Sequence, residues 1–445
     1  MIRPCIKSII AALFITLLAH IASADVLFSY GFTPRTIALG GAFAGIADDF
    51  AAAYYNPGGL TQSQTNEVAL GYMITGDDLN VKLPKGESPE LESTKGLIFG
   101  ISMPLPFKGW LERRLFFGFS CFFPEGVVLA IHVPYPTEPQ YLLLQNSGRS
   151  LSLVPTLAIR LADGLGIGGG AQVFDNTSGR IRATADPYGN IVADVGEELI
   201  MSYAPLFGVF IDPGKAFYML DGLKLGLVWR DSFYTHYKFP VNTYIGDVPL
   251  NVSFDAISLY MPEQYVFGIS YLFNEHIRTG LDIVYNKWSD FPDPNLQVDV
   301  DMQIPILPIE FLNSNKLEPN LHDTITTRAG VEATIFHSEG TDVITRAGYF
   351  YDPSPVPAQS GVTNYLDTDR HVFSAGAGIK LRKFAGFFLK NPFAIDAAFQ
   401  YQYLVERIYK KENWVESANP GYPEMKVSGS LWCVALTYTL WFSFE

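Results

Sequence analysis

Ten charged residues of this 445-residue chain fall on one register of a recurring strand pattern: Arg160, Arg230, Arg278, Asp282, Arg328, Glu332, Arg346, Asp352, Asp396 and Glu406. A guanidinium donates two parallel hydrogen bonds and so matches a carboxylate. Such a set can pair internally and stiffen a wall, or it can leave an arginine free to hold an anionic head group. Spacing alone does not say which arginine is left over, so Arg160, Arg328 and Arg346 all stand as candidates. Other chemistries find less support. Gly164-Leu165-Gly166-Ile167-Gly168-Gly169 has the spacing of a dinucleotide-binding loop, but it follows a tight turn and opens a strand, with no helix after it. Small residues that make room on an inner face explain it better. The seven histidines show no ligand spacing, and Cys121 and Cys433 are expected to be free thiols. No nucleophile–base pair, cofactor or metal site is expected.

What must position those charges is a set of strands. From Ser428 to Phe444 the even positions run through two serines into Trp432, Val434, Leu436, Tyr438, Leu440, Phe442 and Phe444, while the odd positions are mostly small or polar. A strand turns successive side chains to opposite faces, so this segment has one apolar face and one tolerant face. Fourteen such segments can be marked, near 66–75, 94–103, 113–123, 150–161, 164–175, 198–212, 223–238, 264–273, 277–290, 323–335, 341–352, 370–382, 393–409 and 428–444. Their connections alternate between shorter ones (104–112, 162–163, 213–222, 274–276, 337–340, 383–392) and long ones. Charged residues are only 17% and aromatics reach 14%, against about 25% charge in ordinary soluble domains. No apolar run of about 18 residues lies beyond the first 24 positions, so helical spans are not available. The pattern predicts an all-β fold: a 14-stranded antiparallel transmembrane β-barrel with short periplasmic turns and long outer loops. On its lipid face each inner-register arginine would cost about 2–4 kcal/mol near the midplane, and each carboxylate less.

The N-terminus predicts export. Arg3 and Lys7 precede an apolar core from Ile9 to Leu18, and Ala22-Ser23-Ala24 is a small-x-small cleavage site, so residues 1–24 read as a signal peptide. Residues 25–65 are rich in Gly and Ala and are not strand-like. They are expected to form a plug of short helices, with Asp48 or Asp49 capping one helix and Asn56-Pro57-Gly58 ending it. Residues 66–445 are then the barrel. The net charge is −14, or −16 without Arg3 and Lys7, which argues against nucleic acid as a partner. Outer-membrane lipid and lipopolysaccharide are the expected surroundings, and a monomer is the expected state.

Two outer loops are unusually apolar. One holds Val127, Val128, Leu129, Ala130 and Ile131, then Tyr141 to Leu144; the other runs from Ile304 to Leu312. A contiguous apolar patch can mark a binding surface, and packing on neighbouring loops is the other reading.

Two regions carry a resemblance. One is Leu39-Gly40-Gly41-Ala42-Phe43-Ala44-Gly45-Ile46-Ala47-Asp48-Asp49, followed by Tyr55-Asn56-Pro57-Gly58-Gly59-Leu60. The other is Arg346-Ala347-Gly348-Tyr349-Phe350-Tyr351-Asp352-Pro353-Ser354-Pro355-Val356-Pro357, followed by Asp369 to Gly378. In that order and at that distance they resemble the FadL/TodX-type outer-membrane transporters of long-chain fatty acids and other hydrophobic compounds; Gly58 stands where that family has alanine. The resemblance implies a 14-stranded barrel plugged by an N-terminal hatch. It also implies capture at an apolar outer groove, here Val127, Val128, Leu129 and Ile131, and transfer to an interior site near Val26, Leu27 and Phe28. A hatch turn would be fixed by Asn56, Pro57 and Gly58. Release would follow through a side window at a kink in the third strand, near Ser120 to Pro124, where Pro124 lacks a ladder donor.

The combined reading is a passive channel for hydrophobic molecules, foremost long-chain fatty acids, in the outer membrane of a Gram-negative bacterium. An aromatic-hydrocarbon transporter of the same fold is the near alternative. A general porin and an outer-membrane lipid hydrolase are the alternatives of a different class.

Overall fold

The computed structural model describes residues 26–443 except 64, 87, 90, 92, 126–136, 145–150, 186–190, 246–247, 296, 303–318, 385–386 and 412–418; side chains are not described for 175–200, 235–256, 258–259, 298–302 and 384. The described strands are, in chain order, β1 (Asn66–Lys82), β2 (Lys95–Pro104), β3 (Leu115–Pro124), β4 (Gln140–Tyr141), β5 (Ser152–Ala162), β6 (Leu165–Ala185), β7 (Ile191–Ile211), β8 (Leu223–Arg230), β9 (Phe233–Ile245), β10 (Val248–Met261), β11 (Glu263–Asn274), β12 (Ile277–Lys287), β13 (Gln297–Met302), β14 (Thr324–His337), β15 (Thr341–Asp352), β16 (Tyr365–Leu366), β17 (Arg370–Phe384), β18 (Phe387–Lys410) and β19 (Glu424–Phe442).

Fourteen of these strands form the wall, in the order β1, β2, β3, β5, β6, β7, β8, β11, β12, β14, β15, β17, β18, β19, and each runs antiparallel to the next. The sheet closes because β19 pairs with β1, from Asn66↔Phe442 to Lys82↔Lys426. Closure leaves no unpaired edge, which hydrocarbon could not satisfy. Alternation fixes which side chains face out: Leu436 is 52% exposed, while Cys433 and Ala435 beside it are buried. Cys121 and Cys433 are both buried free thiols.

The strands depart from the sequence pattern in several places: β1, β6 and β7 run well into stretches expected as loops, and four other departures follow. The segment expected at 223–238 is two strands: β8 stops at Arg230, and β9 turns away to pair with β10. Phe233-Tyr234-Thr235 keeps the alternation across Asp231-Ser232, so the pattern hides the break. The stretches expected as loops near 239–263 and 291–322 therefore hold β10 and β13, which pair with each other beyond the barrel. The link expected at 383–392 shrinks to residues 385–386 between β17 and β18. Finally, a bulge between Leu404 and Arg407 shifts the β18 register. Glu406 consequently leaves the inner face and pairs with Lys426 at a half-exposed position.

The barrel interior is filled by residues 26–62. This segment contains helices Val26–Tyr30, Pro34–Ala38 and Ala52–Tyr55 and a 3-10 turn over Pro57–Gln62. The second helix starts where the sequence provides a capping box, with Thr33 and Thr36 bonding each other's backbone N–H and Pro34 at the first turn. Asp49 accepts the Ala51 N–H at 2.8 Å just ahead of the third helix. Asn56 then accepts the Gly58 N–H at 3.1 Å, ending that helix and opening the 3-10 turn. The segment lies so close to the wall that side chains are excluded at the contacts. A Cβ on Gly45 would sit 2.8 Å from the Ser270 nitrogen, and one on Gly168 within 2.6 Å of the Pro57 carbonyl oxygen. Within the Gly164–Gly169 run, Gly166 and Gly168 thus make room for the segment. Gly40 adds a backbone reason: it takes φ +62° while facing the Tyr349 nitrogen.

Candidate binding site

Among the described residues the filled lumen has a cavity on each side of residues 26–62. The first lies toward the long-loop end and has a volume of about 50 Å³. Leu27, Phe28 and Tyr30 of the first helix line it on one side, with Gly41, Ala44, Tyr54 and Tyr55 beyond; β8, β11, β12, β14 and β15 contribute Val228, Arg230, Val266, Asp282, Val284, Arg328 and Phe350. Most of this lining is apolar or aromatic. The first helix is hung from the wall by Gln402 and Gln400, whose amides donate to the Ser29 and Tyr30 carbonyls at 2.9 and 3.1 Å. Above it, Phe28 meets Trp288 edge-on at 5.8 Å, and Tyr260 meets Phe291 at 4.8 Å. Phe174 and Phe233 stack at 3.9 Å in an adjoining apolar cluster that Phe28 also touches.

The candidate arginines separate by their partners. Arg346 is bonded to Glu332 and Asp396 at 2.7 and 2.6 Å. Arg160 donates to the Thr61 carbonyl and lies 4.9 Å over the Phe116 ring. Arg230 donates to Gln172 and to the Tyr54 carbonyl, each at 2.7 Å, so it has no carboxylate partner. Arg328 stands apart. Its guanidinium lies 5.3 Å over the Phe350 ring, and its buried Nε has no hydrogen-bond partner. Directly opposite it across the β12–β14 ladder stands Asp282. Opposite charges so placed ordinarily pair, yet no ion pair joins them. Asp282 instead turns one oxygen, Oδ2, to the Phe43 and Ala44 N–H groups at 2.9 Å each, and leaves Oδ1 buried without a partner.

The second cavity lies toward the short-turn end and has a volume of about 300 Å³. Here the charges are paired. Arg35 bonds Asp48, Asp49 and Glu332 at 2.6, 2.8 and 2.8 Å, and Arg278 bonds Asp48 at 2.5 Å. Glu67 accepts the Phe50 N–H and the Ser102 hydroxyl, each at 3.1 Å. Burial works against charge on Asp48, but Arg35 and Arg278 overcome it and hold the carboxyl well below the usual range. Burial prevails at Asp49, reinforced by Asp48, and pushes that carboxyl up.

Of the residues expected from sequence, Leu27, Phe28 and Arg328 meet at the first cavity, and Val26 is buried in the core behind it. Arg160 and Arg346 lie elsewhere. Asn56 bridges the segment to the wall, donating to the Ala44 and Val209 carbonyls at 2.8 and 3.0 Å. Pro57 and Gly58 pack against β6 and β7. Val127, Val128, Leu129 and Ile131 lie outside the described residues. At Ser120–Pro124, β3 stays paired with β2 as far as Gly96↔Pro124 but with β5 only to Phe122↔Ser152, and the Ser120 hydroxyl donates to the Phe50 carbonyl. Sequence reasoning missed Arg35 and the clamp made by Asp282. The acidic pair Asp48-Asp49 inside a plug was the available signal for Arg35.

A closed barrel with polar lumen, apolar belt and filled interior is an outer-membrane β-barrel of the transport class. A family model described as outer membrane protein transport protein (OMPP1/FadL/TodX) matches residues 18–442. The chain belongs to that family, and its place is the outer membrane of a Gram-negative bacterium. The fold is shared with solved structures of low identity. A Pseudomonas aeruginosa FadL homologue is 15% identical with a TM-score of 0.59, over 96% of this chain and 100% of that one. The Pseudomonas putida toluene transporter TodX is 14% identical with a TM-score of 0.53, over 94% and 100%. The Ralstonia pickettii toluene transporter TbuX is 15% identical with a TM-score of 0.52, over 93% and 99%. A search of curated proteins found no match.

Proposed function

We propose that this channel takes up long-chain fatty acids passively, binding the carboxylate at Arg328 and the start of the alkyl chain beside Leu27 and Phe28. The observation that carries this is Arg328, its buried Nε unpartnered, in a mostly apolar cavity. Arg230 and Arg328 against Asp282 leave that cavity one positive charge in excess, which a monoanion neutralises. A hydrocarbon would leave the buried Nε of Arg328 without a partner, at about 1–3 kcal/mol. Alkyl burial adds roughly 0.8 kcal/mol per methylene.

A 50 Å³ space holds only a few waters, each needing about 10–15 Å³ of such space. The cavity therefore fits a head group, and loading a chain requires residues 26–30 to move. Residues 26–62 act as a hatch in this reading. Ligand is captured at the outer loops, passes to the cavity, and leaves once the hatch shifts. We place the side exit not in β3 but between β5 and β6. There the ladder is interrupted between Leu153↔Val173 and Thr156↔Gly170, at Pro155, which has no N–H to give. Gln172, facing that gap, holds Arg230 of the cavity.

The test is equilibrium binding of oleate and toluene to purified wild-type and Arg328→Gln protein. Loss of oleate affinity with toluene unchanged supports the reading. Equal oleate affinity in both proteins overturns it and favours the hydrocarbon alternative.

A further inference from the structure

We propose that Asp282 is the positioning residue that transmits occupancy of the Arg328 cavity to the hatch. This rests on the head-group reading above. Asp282 is 2% exposed and lines the cavity, and its two oxygens face different things. Oδ2 holds the consecutive Phe43 and Ala44 N–H groups of the hatch, while Oδ1 has no partner. Arg328, its cross-strand neighbour, supplies the opposite charge in the cavity without bonding to it.

The hatch turn that Asp282 grips has few other polar ties to the wall. Ser270 donates to the Gly45 carbonyl at 2.9 Å, and Asn56 donates to the Ala44 carbonyl at 2.8 Å from within the hatch. Of these groups only Asp282 also lines the cavity. A ligand carboxylate on Arg328 takes the guanidinium that had balanced Asp282 and sets a second anion beside Oδ1. Like charges at that range disfavour the arrangement. Asp282 relieves it by rotating away or by taking a proton from water, and either change weakens its hold on the Phe43 and Ala44 amides. Head-group binding thus loosens the turn joining the second and third hatch helices. A hydrocarbon, having no charge, leaves the clamp closed.

The experiment is hydrogen exchange of the Phe43 and Ala44 amides in purified, detergent-solubilised protein, with oleate, with toluene and without ligand. Wild type should exchange these amides about tenfold faster with bound oleate, within the ordinary range of coupling between sites, and no faster with toluene. Asp282→Asn should lose the oleate response, because the second anion no longer meets a charge. Ser270→Ala removes a pin on the same turn without touching the cavity; it should raise exchange without ligand yet keep the response. Unchanged or slower exchange in wild type with oleate demonstrably bound overturns the coupling and spares the head-group reading. An equal response to toluene also overturns it. Failure of wild type to bind oleate removes both proposals. If Asp282→Asn does not assemble, the wild-type and Ser270→Ala arms still decide.

Discussion

On the short-turn side of the hatch, Arg35, Arg278 and Arg346 share Asp48, Asp49, Glu332 and Asp396. On the long-loop side, Arg328 stands across the ladder from Asp282, lies over the Phe350 ring and has no hydrogen-bond partner at its buried Nε. Both regions are built from arginine and carboxylate inside the same wall. In the first, every guanidinium finds an acidic partner, half of the acids come from the hatch itself, and the result is mechanical attachment. In the second, the acid is spent on two backbone amides, so the cation keeps its capacity for an outside anion. Whether a buried charge holds a structure together or recognises a ligand depends on where its neighbour points.

The largest effect that tests this contrast comes from the paired side. Arg35→Ala leaves Asp49 and part of Glu332 without their cation, and breaking a buried pair costs about 3–5 kcal/mol. The hatch should become sensitive to protease and the channel should conduct ions measurably in a planar bilayer, while the barrel stays folded. A silent Arg35→Ala channel would mean the network is not what retains the hatch. Next is Arg328→Gln, expected to weaken oleate about ten- to hundredfold, corresponding to about 1.5–3 kcal/mol for hydrogen bonds to a charged group. Its hatch should remain as protected as in wild type, which separates the two regions. Phe28→Ala should be milder, since it removes one edge-on aromatic contact worth about 1 kcal/mol. It should weaken oleate and toluene alike, seen in competition binding.

The smallest effect is with pH. Asp48 lies outside the wall strands and its carboxyl is depressed in the folded state. Its share of hatch stability is therefore complete above the unfolded carboxylate value of about 3.9. That share is lost as pH falls from there through the folded value. Hatch protection attributable to Asp48, taken as the difference between wild type and Asp48→Asn, should stay level from about pH 7 to 5 and shrink only below about pH 4. A loss beginning near pH 6 would point to another group.

The barrel was legible because period-two alternation is a property of each strand alone. Trp432 to Phe442 state their outer face without reference to any neighbour. What alternation could not show was where a strand leaves the wall. Phe233 continues the rhythm of Trp229 although β8 has ended, and Glu406 loses its inner place to a bulge that the residues do not announce. The site was half legible. Arg328 was among the candidates, but so were Arg160 and Arg346. Choosing between them required knowing that Asp282 bonds Phe43 and Ala44, far away in sequence, rather than the arginine across the ladder. The same is true of Pro155: its missing donor matters only because β6 lies beside it.

The seam between β1 and β19 joins the first and last wall strands along its whole length. Residues 26–62 precede the first of them in the chain. The ring therefore cannot shut until the last wall strand is available to meet the first. Contacts that join residues so distant along the chain form slowly. A newly exported copy thus spends its most vulnerable interval as an open sheet, dependent on whatever machinery shelters outer-membrane strands until the last one arrives.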